Sequence, residues 1–166
     1  MIDSTPGYCK KEVVIFGCGN ILFGDDGFGP EVVKYLEQHY TIPENVCIID
    51  VGTSIRGILF NILLSEIKPQ KIVIIDAVDL KREPGEIFDL SIDEMPINKI
   101  DDFSLHLMPS TNMLKELKEF CNIEVFILSC QVQKIPEEMY MGLTLVLKES
   151  VKQSAEIIKK RYFDIF

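Results

Sequence analysis

Four segments of this chain, residues 12–16, 46–51, 71–77 and 123–129, are apolar almost without a break and rich in Val and Ile. Their length suits strands rather than helices, and a strand apolar on both sides needs cover on both of its faces. The intervening segments have a helical period instead. Residues 27–39 repeat Val32, Val33, Leu36 and then Tyr40 behind a tolerated Pro30 near the start, and residues 55–67, 109–120 and 143–162 read as further helices. Strands alternating with helices imply right-handed crossovers and a three-layer, doubly wound α/β fold, with helices on both faces of a mostly parallel sheet. After the Pro84-Gly85 turn, Phe88, Leu90 and Ile92 alternate with Ile87, Asp89 and Ser91, so residues 86–92 read as an antiparallel edge strand. Residues 93–107 contain Pro96, lack a period and read as a functional loop. Residues 1–8 read as a loose leader. With 166 residues, 47% of them hydrophobic, the chain can bury one proper core, and 1–166 is expected to be a single domain.

The balance of charge narrows the function. A formal net charge of -9 sets up an anionic field that repels a phosphate backbone, so nucleic acid is not the expected partner. The longest apolar runs are too short to span a bilayer and no signal pattern opens the chain, which predicts no membrane partner and a cytoplasmic location. Cys9, Cys18, Cys47, Cys121 and Cys130 form an odd set without a C-x-x-C pair, so they read as small apolar residues rather than a disulfide framework or a zinc knot.

In a doubly wound sheet, ligands bind outside the carboxyl ends of the strands. Asp26 follows the first strand, Asp50 ends the second and Asp76 ends the third, while His106 lies in the loop before the third helix. Carboxylates with one imidazole make a mixed oxygen and nitrogen set that suits a borderline divalent metal such as nickel or zinc, with positions left open for water or substrate. Each residue also has a structural explanation. Asp25 and Asp26 can cap a helix N-terminus, with Asp25 the better candidate for that role. Asp50 and Asp76 can bind loop amides, and a lone histidine is more often structural, as expected of His39 at the end of a helix. Gly17-Cys18-Gly19 hints at a nucleotide fingerprint, but Leu22 stands where its third glycine belongs and the two aspartates oppose a pyrophosphate. No nucleotide is therefore expected. The glycines at 17, 19, 24, 27 and 29 read instead as a turn closing tightly around an acidic side chain or an incoming peptide. A cysteine protease pairing Cys18 or Cys130 with His106 is a weaker alternative, since neither cysteine lies in a nucleophile signature.

The segment G-N-I-L-F-G-D-D-G-F-G from Gly19 to Gly29 resembles the opening motif of the hydrogenase maturation endopeptidases. The likeness continues through I-I-D-V-G-T at Ile48 to Thr53, I-I-D-A-V-D at Ile74 to Asp79, Pro84-Gly85, and S-L-H at Ser104 to His106, and so spans nearly the whole chain. It implies an aspartic-type, nickel-dependent endopeptidase that removes the C-terminal extension of a nickel hydrogenase large-subunit precursor after nickel insertion. The implied metal ligands are Asp26, Asp76 and His106, with Asp50 beside Asp26 and Asp76 as a catalytic carboxylate. Leu105 departs from the proline that relatives often carry before the histidine. The resemblance also implies that nickel arrives with the precursor and that another divalent ion can replace it in vitro; the protein is expected to be a monomer. Its general character is that of the branch serving deazaflavin-reducing hydrogenases of methanogens. A noncatalytic protein that checks the precursor for nickel is the competing class. Ile21, Leu22 and Phe23 are expected either to touch the precursor or to pack under the first helix.

Overall fold

The computed structural model describes residues 4–95 and 110–164. Its sheet has five strands in the order β2-β1-β3-β5-β4: β1 Val13–Cys18, β2 Val46–Gly52, β3 Lys71–Val78, β4 Ile87–Leu90 and β5 Glu124–Gln131. β1 pairs in parallel with β2 and β3, and β3 in parallel with β5, whereas β4 runs antiparallel along the edge of β5. The mostly parallel sheet and its antiparallel edge strand match the sequence expectation. The central strands carry the apolar runs: β1 is buried throughout and β3 everywhere except Lys71.

Strand alternation separates two apolar layers. Val13, Ile15, Val73 and Ile75 pack with Phe28, Val32 and Leu36 of α1 (Phe28–His39) and with Leu147, Val151, Ala155 and Ile158 of α4 (Leu145–Ile158). Val14, Phe16, Ile72 and Ile74 pack on the opposite face with Ile55, Leu59 and Ile62 of α2 (Ile55–Leu64) and Met113, Leu114 and Leu117 of α3 (Ser110–Glu119). The three-layer architecture is thus a direct result of β-strands with two apolar faces.

Boundaries shift for local reasons. α2 stops three residues earlier than its period suggests, because Ser65 turns extended and donates its N–H to the Asn61 carbonyl (3.0 Å). α4 begins two residues late, behind an extended Thr144, and passes into a π-helical turn, Lys159–Phe163, that buries Tyr162 and Phe163. β5 runs on to Gln131, whose side-chain oxygen accepts from Leu80 N (2.8 Å) and Arg82 N (3.1 Å) and so fastens the approach to β4. Before β1, a 3-10 turn, Gly7–Lys10, buries Cys9 and brings Tyr8 against the α2 and α3 layer. Most of the loop expected over 93–107, and Pro109 at the expected start of α3, lie outside the described residues; within them, Ile92–Glu94 forms a 3-10 turn with a capping box between Ser91 and Glu94.

Candidate active site at the switch point of the sheet

From β1 the chain places β2 on one side and β3 on the other, so the strand order reverses between β1 and β3. Such a reversal opens a crevice beyond the carboxyl ends of the two strands. Two close approaches shape that crevice. A Cβ at Gly29 would stand 2.3 Å from the Cys18 carbonyl oxygen and 2.4 Å from that of Ile75, so the first turn of α1 rests directly on both strands. Gly19, with φ at 139°, lies where a Cβ would come within 1.8 Å of the Asp26 carbonyl oxygen. The loop after β1 therefore folds back tightly on the acidic pair, as its glycines suggested.

Asp26 sits in a 3-10 turn, Gly24–Gly27, that packs against β3. It is half-buried, and its Oδ2 accepts the Asn20 N–H at 2.9 Å. Asp76 lies within the buried run of β3, which continues through Ala77 to Val78, is 1% exposed, and receives the Ala77 N–H on Oδ1 at 2.9 Å. It lies on the α2 and α3 face of its strand, and its register partner on β5 is Ser129, a buried residue whose hydroxyl has no hydrogen-bond partner among the described residues. The packing of the turn on β3 thus brings the elements carrying Asp26 and Asp76 to the same crevice.

Asp50 is placed differently. It pairs with Gly17 across β1, while Gly17 also pairs with Ile75, so Asp50 and Asp76 are separated by two strand spacings, about 9–10 Å. Asp50 is exposed and accepts the Gly52 N–H on Oδ1 at 2.9 Å, the loop-amide contact that residues at strand ends commonly make. Gly52 in turn accepts the Gly19 N–H (3.0 Å), which ties the end of β2 to the loop holding Asp26. His106 lies outside the described residues. Among those residues no three His, Cys, Asp or Glu side chains gather as a metal-binding group.

Asp25 is the clearest departure from expectation. It caps no helix: α1 starts from Gly27 without a side-chain cap. Its fully buried carboxylate instead accepts from Gln133 N (2.9 Å), Lys134 N (3.1 Å), Thr144 N (2.8 Å) and the Thr144 hydroxyl (2.9 Å), all in the segment between β5 and α4. A helix N-terminus offers only its own first amides, whereas this segment offers three backbone donors and a hydroxyl at one point. The only sequence signal for such a role was the doubling of aspartate between glycines, and it does not identify a partner more than a hundred residues away. Ile21 and Leu22 remain exposed beside the turn instead of packing under α1. His39 closes α1 as expected, stacked on Tyr35 with Nδ1 donating to the Tyr35 carbonyl at 3.0 Å.

None of the five cysteines is in a disulfide. Burial, the dominant cause, pushes the Cys130 thiol up to about 12, so it is not a nucleophile near neutrality. Burial likewise raises the thiols of Cys9 and Cys47.

Comparison with known proteins decides the family. Residues 30–161 match the family model of the hydrogenase maturation protease HycI. The chain belongs to the hydrogenase maturation protease family. A relative in Methanocaldococcus jannaschii named as a hydrogenase maturation protease is 40% identical over 150 residues, 90% of this chain and 95% of its own. The delta subunit of the coenzyme F420 hydrogenase of Methanothermobacter thermautotrophicus is 35% identical over 151 residues, covering 89% of this chain and 92% of its own. Among solved structures, the endopeptidase HycI of Escherichia coli superposes with a TM-score of 0.70 at 28% identity over 89% of each chain. The maturation protease HybD of Thermococcus kodakarensis gives 0.62 at 29%, over 89% of this chain and 97% of its own. As a maturation protease the chain is a hydrolase. Its described helices include none long and apolar enough to cross a membrane.

Proposed function

We propose that this protease cuts the C-terminal extension from a nickel hydrogenase large-subunit precursor in the cytoplasm, and does so only after nickel has been inserted. The observation that supports the reading most directly is the packing of the Asp26 turn against β3, the strand that carries Asp76, at the switch point of the sheet. Asp26, Asp76 and His106 are assigned as the groups that meet the metal held by the precursor, so nickel is part of the substrate. Two carboxylates and one imidazole are a donor set such an ion accepts while keeping its precursor ligands.

The chain's own groups then have separate tasks. The crevice orients the segment next to the metal, and the bound ion withdraws electron density from the scissile carbonyl. Hydrolysis also needs a proton acceptor for the attacking water, and the exposed Asp50 is assigned that task, with Asp26 and Asp76 as the other catalytic carboxylates. Asp50 serves only a peptide lying across the sheet edge from β3 to β2. About three extended residues cover that distance.

The test is intact-mass spectrometry of large-subunit precursors incubated with the protein, nickel-loaded and nickel-free. Loss of one defined C-terminal peptide from the loaded form alone, abolished by Asp76→Asn and by His106→Ala in folded protein, is the expected result. Binding without any mass loss would leave a nickel-checking binding protein, and cleavage regardless of nickel would remove the metal-reading role of the three residues.

A further inference from the structure

Asp25 has no part in that scheme, yet its surroundings are the most specific built around any carboxylate of the described chain. Gln133 and Lys134 leave β5 and Thr144 precedes α4, so one carboxylate grips both ends of the intervening segment, Oδ2 taking Gln133 N and Lys134 N and Oδ1 taking Thr144 N. The middle of the segment is fixed as well. Gly24 N donates to the Tyr140 carbonyl (2.7 Å), Tyr140 N donates to that of Leu22 (2.8 Å), and Phe23 and Tyr140 form an isolated parallel bridge. Gly24, with φ at 53°, abuts Pro136 so closely that a Cβ there would lie 2.8 Å from Pro136 Cδ. The turn that carries Asp26 is four residues long, begins and ends on glycine, and has no side-chain cap. The segment it is clasped to therefore helps to fix its orientation, together with Asn20 and β3.

We propose that Asp25 is a positioning residue for Asp26: by locking the Gly24–Gly27 turn to residues 133–144, it sets the angle at which the Asp26 carboxylate meets the metal in the precursor. The proposal rests on the metal-reading role assigned to Asp26 above. Consecutive residues share a peptide plane, so a turn that rotates about Asp25 carries Asp26 with it. The clasp is also asymmetric in a useful way. An asparagine at position 25 can still accept from Thr144 through its oxygen, but its amide group faces the Gln133 and Lys134 donors, leaving two buried N–H groups opposed. Thr144→Val removes only the hydroxyl contact and changes nothing within the turn itself.

The experiment is single-turnover cleavage of nickel-loaded precursor over a range of enzyme concentration, which separates half-saturation from the cleavage rate, with nickel-free precursor as competitor. Partners that orient a metal-contacting carboxylate affect metal affinity by roughly 10–100-fold. Half-saturation for the loaded precursor is accordingly expected to rise about tenfold in Asp25→Asn and by a smaller factor in Thr144→Val, while the inhibition constant of the nickel-free form holds within about twofold. Thr144→Ser, which keeps a hydroxyl, restores the wild-type preference. A merely structural clasp would weaken both forms equally, and that result, or an unchanged preference in both variants, overturns the proposal. If Asp25→Asn does not fold, the Thr144 pair decides alone. A wild-type enzyme with no preference for the loaded form overturns the metal-reading role as well, whereas a preference that survives loss of the clasp overturns only the positioning role.

Discussion

Replacing Gly29 by alanine tests the geometry of the crevice at its tightest point. A Cβ there would meet the Cys18 carbonyl oxygen at 2.3 Å, that of Ile75 at 2.4 Å and the Cys18 nitrogen at 2.6 Å. All three are backbone atoms of central strands and cannot rotate away. Ordinary contact begins at 3.4 Å, so the first turn of α1 must lift by about 1 Å. Gly29 does not adopt a positive φ, so the cost is steric rather than conformational. Overpacking against an unyielding neighbour costs about 3 kcal/mol, while glycine to alanine inside a helix returns up to about 1 kcal/mol. Gly57→Ala, on α2 with nothing within 4 Å of its Cβ, makes the same chemical change in open space and should stabilise by roughly 0.5–1 kcal/mol. The unfolded-state effect is common to the two variants, so their difference in urea unfolding isolates the clash. The lift also displaces the Asp26 turn from β3, and a shift of about 1 Å in a positioned group costs on the order of a hundredfold in rate. The reasoning fails if Gly29→Ala matches Gly57→Ala in stability within about 0.5 kcal/mol.

Two other groups give independent checks. Cys130 is fully buried and its thiol is raised to about 12 by that burial, so native protein at pH 8 should leave it unalkylated while half-buried Cys121 reacts; peptide mass mapping showing equal labelling would contradict this. Asp79 is held below the ordinary value of 3.8, first by the Lys81 side chain and then by Gln131. A depressed carboxylate contributes stability above its unfolded value that disappears as pH falls through the folded one. Asp79→Asn should therefore lower the unfolding free energy from urea titration at neutral pH by at most about 1 kcal/mol, the side chain being 46% exposed, and lose that effect as the pH drops below 3.8. A deficit that persists unchanged in acid would refute the assignment.

The fold could be read from the chain because its strands are apolar on both faces. The uninterrupted runs in β1 and β3 demand helices above and below, and the alternation in β4 marks it as an edge. The ends of the elements were not legible in the same way. α4 begins where it does because Thr144 is bound to Asp25, and β5 continues to Gln131 because that side chain holds Leu80 and Arg82. Both facts depend on contacts between distant parts of the chain, and hydropathy periods record only which side of an element is buried.

The acidic pair shows the same limit at the site. Asp25 and Asp26 are identical residues in one turn, and local rules treat either as a cap, with Asp25 the stronger candidate by position. The structure separates them by burial and by partners: one is enclosed by four donors from the 133–144 segment, and the other remains half-buried and accepts the Asn20 amide of its own loop. A charge taken fully out of water is tolerated only where several donors meet it. Once Asp25 is used in that way, the turn has one carboxylate left to present, and its position is set by the clasp next to it. The division of labour follows from the 133–144 segment crossing at this point, where its donors meet Asp25.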